Sequence, residues 1–180
     1  MTQNRRTFLQ TTTSATTALL LSSLDTFAIP YKSSIVNKNF ELKVLATNWG
    51  FEGTTDQFCA AIKKEGYDGL EIWWPGDAKA QDELFAALKK YSLEVGFLCG
   101  GYQPDFKEHL DFFKKVTTEA ATNKVQKPLY INCHSGRDFF SFEQNTEFVN
   151  HTIQLSKQTG VTICHETHRS RIMFAAPVRF

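Results

Sequence analysis

Five short apolar runs recur along the chain: Leu42 to Ala46, Gly69 to Trp74, Glu94 to Leu98, Leu129 to His134, and Val161 to Glu166. Their length and β-branched or aromatic content predict strands. Between them, apolar residues fall at helical spacing. Thr54 and Gln57 have the spacing of a capping box, Phe58 and Ile62 follow four apart, and Gly66 ends that helix. Leu84, Leu88 and Tyr91 mark a second helix. Asp105 with Glu108 opens a third, carrying Phe106, Leu110 and Phe113 on one face. Ser141 with Gln144 opens a fourth, with Val149, Ile153 and Leu155 near one face, Phe139-Phe140 in the helix layer, and Gly160 as the stop.

The order is therefore β-α-β-α-β-α-β-α-β, which implies parallel pairing through right-handed crossovers. Two architectures share it: an open doubly wound sheet and a (β/α)8 barrel. A barrel takes about 250 residues, so five of its eight units need about 156, a length that fits residues 29–180. Asn48-Trp49-Gly50-Phe51 after the first strand is bulky where a nucleotide-binding sheet needs a glycine-rich loop. The expected fold class is α/β, a partial (β/α)8 TIM barrel of about the first five strands, over residues 42–180. The tail Ala175 to Phe180 reads as an interruption.

Residues 1–28 differ in material from the rest. Arg5-Arg6 followed by Phe8-Leu9, a Thr/Ser/Ala/Leu run, and the small residues Thr26 and Ala28 resemble a twin-arginine export signal. The expectation is a periplasmic or exported protein that engages the twin-arginine machinery. Residues 29–41 form a connector. The apolar stretch Ala18 to Leu21 is far short of the roughly 20 residues that span hydrocarbon, so no membrane span is expected. Cys59, Cys99, Cys133 and Cys164 sit in helical or strand-end patterns typical of buried structural thiols, not a disulfide framework. A formal net charge of +1 gives no reason to expect a nucleic-acid partner.

In a parallel α/β sheet the site lies at the carboxyl ends of the strands. The polar residues there are Asn48 and Trp49, Glu71 and Trp73, Tyr102, Asn132 and His134, then Glu166 and His168. Glu71 shares a strand face with Trp73, Asn132 with His134, and Cys164 with Glu166 and His168. Convergence in one pocket is expected. His165-Glu166-Thr167-His168 is not a zinc-protease motif, because its histidines are three apart and the segment is extended.

Gly66 to Ile72, Asn132-Cys133-His134-Ser135-Gly136, and His165-Glu166-Thr167-His168 resemble the second, fourth and fifth strand motifs of the xylose isomerase-like TIM-barrel superfamily. That group holds sugar and sugar-phosphate isomerases and epimerases and the endonuclease IV-type nucleases. The likeness covers about residues 42 to 177. It implies that Glu166 ligates a divalent metal, Mn²⁺ or Mg²⁺ ahead of Zn²⁺ or Co²⁺, and that the other usual ligands follow Phe180. It also implies a sugar or sugar-phosphate substrate and enediolate or hydride-shift chemistry. Glu166 and Glu71 are the candidate catalytic carboxylates. His134, His168, Asn132, Trp73, Trp49 and Arg171 are the candidate substrate contacts, with Arg169 and Arg171 suited to a phosphate or carboxylate. Each has a plainer alternative: a paired strand-end carboxylate, a satisfied histidine, aromatic rim packing, a solvated cation.

The resulting expectation is a metal-dependent isomerase or epimerase whose 180-residue chain is incomplete and poorly active. A non-catalytic periplasmic carbohydrate-binding protein on the same scaffold is the rival. An endonuclease IV-like nuclease is less expected, since it needs a multi-histidine cluster and a basic face.

Overall fold

The computed structural model describes residues 41–174, so the expected export signal, nearly all of the connector and the tail from Ala175 lie outside the described residues. Within them, β1 (Leu45–Thr47), α1 (Thr55–Lys64), β2 (Gly69–Trp73), α2 (Ala78–Tyr91), β3 (Glu94–Gly100), α3 (Phe106–Thr122), β4 (Ile131–His134), α4 (Phe142–Thr159) and β5 (Ile163–His165) alternate as the sequence pattern predicts.

All four strand pairs are parallel, and their order across the sheet is β1-β2-β3-β4-β5. A doubly wound sheet reverses its strand order at a switch point. This one does not. Repeated right-handed crossovers without reversal deposit every helix on the same face, and the core reflects it. Leu70, Val95, Phe97, Cys99, Ile131 and Cys133, the alternate residues of the strands, form one buried cluster with side chains from all four helices. The opposite face carries Glu71, Trp73, Asn132 and His134. The described residues are thus a singly wound α/β wall with one helix-covered and one polar face.

Local signals set the helix ends. Complete capping boxes close at Thr54/Gln57 and Ser141/Gln144. Asp105 caps α3 by accepting from the Glu108 amide, without a reciprocal bond. Gly160 ends α4 in the left-handed conformation at φ 64°. The core is aromatic: Trp74 and Phe85 meet Phe97 edge-on, at centroid distances of 4.9 and 6.4 Å. Phe113, Phe140 and Phe148 form a second knot between α3 and α4.

Three details differ from the sequence reading. β1 begins at Leu45, because Val44 is spent on a paired bridge with Asp68: its amide donates to the Asp68 carboxylate, and its carbonyl accepts from the Asp68 amide. The buried stripe of α4 is Phe148, Thr152 and Leu155, whereas Ile153 is 46% exposed. A threonine faces inward there because it has the half-buried His165 to bind. Of the Phe139-Phe140 pair, Phe140 is buried and Phe139 lies in solvent.

Candidate functional site

Register stacks the polar face in levels. Thr47, Glu71 and Gly96 lie side by side, then Trp73, Leu98, Asn132 and Cys164, then Gly100 and His134. The Glu166 amide donates to the Cys133 carbonyl at 3.0 Å, extending the β5 ladder and setting Glu166 beside His134 at the carboxyl-end rim. Alternation thus brings the residues named on β4 and after β5 together.

Glu166 Oε2 accepts from Asn132 Nδ2 at 2.8 Å and faces His134 Nε2 at 2.9 Å. Burial holds the His134 pKa below its ordinary value, outweighing the opposite pull of Glu166, with His168 and Arg171 adding to the depression. His134 is therefore neutral near pH 7 and donates its Nε2–H to the carboxylate. The His168 ring stacks on His134 at 4.8 Å, and the Trp73 indole meets its edge at 5.0 Å. His168 Nδ1 lies 2.8 Å from the Arg169 carbonyl, so it carries a proton and donates it there.

Glu71 is placed elsewhere. It sits level with Gly96, whereas Glu166 sits level with Gly100, four strand positions or about 13 Å farther along the sheet. Its Oε1 accepts from the Tyr130 hydroxyl at 3.0 Å, in a hollow of about 460 Å³ lined also by Lys43, Leu45, Thr47 and Leu129. Burial, then the neighbouring carboxylate, raises the Tyr130 pKa to about 12. The single pocket expected from the sequence is two separate polar groups, because sharing a face fixes direction but not height. Trp49 is likewise apart, 67% exposed on the β1–α1 loop and in no ring contact among the described residues.

Arg171 is not a solvated cation: only 3% of it is exposed. Its Nη1 donates to the carbonyls of Gly101 at 2.9 Å and Gly136 at 3.2 Å, which joins the loops after β3, β4 and β5. Tyr102 lies beside the guanidinium, its ring centre 5.2 Å away. Arg137 also reaches this place, donating from Nη2 to the Tyr102 carbonyl at 2.9 Å. Sequence reasoning missed Arg137 and Tyr130. Tyr130 was visible in principle, two residues before Asn132 on the same alternating face. Nothing local distinguishes Arg137 from a surface arginine.

Behind the rim, His165 faces the helices. Thr152 Oγ1 donates to the Val149 carbonyl, so it accepts from His165 Nε2–H at 2.9 Å, and Ser135 Oγ–H must then donate to Nδ1 at 2.6 Å. Burial lowers the His165 pKa, and this neutral tautomer fits it.

The thiols divide. Cys59, Cys99 and Cys133 are buried, and burial raises all three pKa values, that of Cys59 to about 11. Cys164 is exposed on the polar face, contrary to the expectation of a buried thiol. No described helix is long and apolar enough to cross a membrane. Among the described residues, no group of three or more His, Cys, Asp or Glu side chains is arranged to hold a metal ion. No protein-family model matches the chain, and no curated protein matches it significantly.

Proposed function

We propose that this chain forms part of the wall of a (β/α)8 barrel of the xylose isomerase-like type, and that its rim serves a metal-dependent sugar or sugar-phosphate isomerase or epimerase. The observation that carries the reading is the singly wound order β1-β2-β3-β4-β5, with the helices on one face and Glu166, Asn132 and His134 meeting at the carboxyl ends on the other. Barrel enzymes place their chemistry at that rim.

The metal is tested by the donors present. Glu166 suits one ligand position: Oε2 is held by two N–H donors, and among the described residues no donor engages Oε1. Asn132 and His134 then act as orienting partners of the kind that fix a ligating carboxylate. The set is not complete among the described residues. A bound Mg²⁺ or Mn²⁺ supplies Lewis acidity to the carbonyl and hydroxyl oxygens of a sugar. Around it, Trp73 and His168 offer flat surfaces to a sugar ring. Glu71 is too far down the sheet to share a proton with Glu166, so we assign it to the floor with Tyr130.

A binding-only role is the second reading, favoured by the incomplete donor set among the described residues. Protein expressed from its complete reading frame separates the two. Mn²⁺-dependent interconversion of a ketose panel, abolished in E166Q and weakened about 10- to 100-fold in metal affinity by N132A, supports the isomerase. Saturable sugar binding without turnover, indifferent to Mn²⁺, refutes it and favours the binding protein.

A further inference from the structure

Arg171 is 97% removed from solvent, yet among the described residues no carboxylate lies within 4.0 Å of it or of Arg137. A buried charge is costly unless paired. Here two like charges share one site. Both guanidiniums lie near the ring of Tyr102, at 5.2 and 6.0 Å from its centre, and Arg137 adds to the disfavouring of charge on Arg171 that burial begins. The plainest account of Arg171 is a loop staple, because its Nη1 satisfies two backbone carbonyls. That accounts for one nitrogen and not for the charge, nor for a second guanidinium beside it.

The donors left over point the same way. Of the five N–H donors of a guanidinium, those on Arg171 Nε and Nη2 have no hydrogen-bond partner among the described residues. Among the described residues, Arg137 Nε is buried without a partner and Nη1 has none. The His109 imidazole beneath Gly101 adds no charge of its own. It is fully buried, its pKa is lowered chiefly by burial with both arginines contributing, and its Nδ1–H goes to the Gln103 carbonyl. Glu166, at the same end of the sheet, is already engaged by Asn132 and His134.

We propose that Arg137 and Arg171, beside Tyr102, form an oxyanion site that takes the phosphate or carboxylate group of the substrate. The loops after β3, β4 and β5 supply it at the same end of the sheet as Glu166. An oxyanion with two or more acceptor oxygens provides the missing countercharge and the acceptors that the idle N–H groups lack. Resting on the sugar-site reading of the rim, this narrows the substrate to a sugar phosphate or a sugar acid and sets aside neutral sugars.

The test is calorimetric titration of the full chain, metal-free and at constant ionic strength, with inorganic phosphate, a hexose 6-phosphate, a hexonate and a neutral hexose. Phosphate is expected to bind saturably with Kd below about 10 mM. R137Q should weaken it at least tenfold. R169Q, which removes the same charge from an exposed neighbour, should stay within twofold. R171K keeps charge but loses the planar fork, and should also weaken binding tenfold; if it does not fold, R137Q decides. The tighter of the two anionic sugars identifies the group, and neutral hexose should show no dependence on Arg137. Absence of saturable phosphate binding, or equal effects of R137Q and R169Q, overturns the proposal. Because no metal is present, phosphate binding that survives while Mn²⁺-dependent turnover is absent refutes the isomerase reading alone. Turnover without Arg137-dependent anion binding refutes this site alone.

Discussion

Lowering the pH from about 7.5 to about 5.5 should destabilise the fold through its buried and half-buried histidines. His109 and His165 are held neutral, each pKa lowered from an ordinary 6.5 mainly by burial. In the unfolded chain both take up protons near pH 6.5; in the native state they resist. The unfolded state therefore binds more protons below that pH, so stability is complete above it and falls as the pH drops. At about pH 5.5, each imidazole that stays fully unprotonated costs about 1.4 kcal/mol, and the pair at most about 3 kcal/mol. His134 and His151, also lowered mainly by burial, add in the same direction. Asp56 and Glu143 have pKa values lowered below the usual carboxylate range, and they titrate outside this window. Urea denaturation at the two pH values should show a midpoint lower by about 1 to 1.5 M at acid pH for an m-value of about 2 kcal/mol/M. H165Q, which keeps a donor and an acceptor but cannot titrate, should remove up to half of the drop. A midpoint that is flat with pH, or an H165Q slope equal to that of the native chain, refutes the reasoning.

Two packing predictions follow from the sheet. F97A removes a fully buried ring that meets Trp74 and Phe85, and should cost about 3–5 kcal/mol by urea denaturation. G69A should fail to give folded protein, because a Cβ there overlaps the Glu94 backbone carbonyl across the β2–β3 pairing, and backbone cannot swing away; a native-like circular dichroism spectrum and melting point would refute it.

The fold was legible where the signal is local. Capping residues and three- and four-residue apolar spacing located every helix, and β-rich runs located every strand, because both depend on residues within one turn or one hairpin length. What failed depended on partners remote in sequence. Thr152 looked polar and Ile153 apolar, but a histidine thirteen residues away takes the inward position of α4 for a hydroxyl. Glu71 and Glu166 share a face, yet their height is set by register through two intervening strands. Glu166 with Asn132 and His134 was foreseeable, since all belong to adjacent strands at neighbouring positions. Arg137 was not, because its place depends on how three loops fold over Tyr102.

The aim of Glu166 is fixed from behind as much as from the rim. His165 and Glu166 are consecutive and point to opposite faces, so holding one ring sets the rotation of the strand end that carries the other. Ser135 comes from the end of β4 and Thr152 from the middle of α4, and together they occupy both nitrogens of His165. T152V keeps the shape but leaves Nε2–H without an acceptor, at a cost of about 1–3 kcal/mol. Loss of stability alone would make the clamp a packing device. If the clamp also positions the rim, T152V should weaken Mn²⁺ binding several-fold at a temperature where the variant is fully folded, although Thr152 lies on the far side of the sheet from Glu166. Stability lowered as expected with metal affinity unchanged would refute the positioning role, since the rim would then be held by Asn132 and His134 unaided.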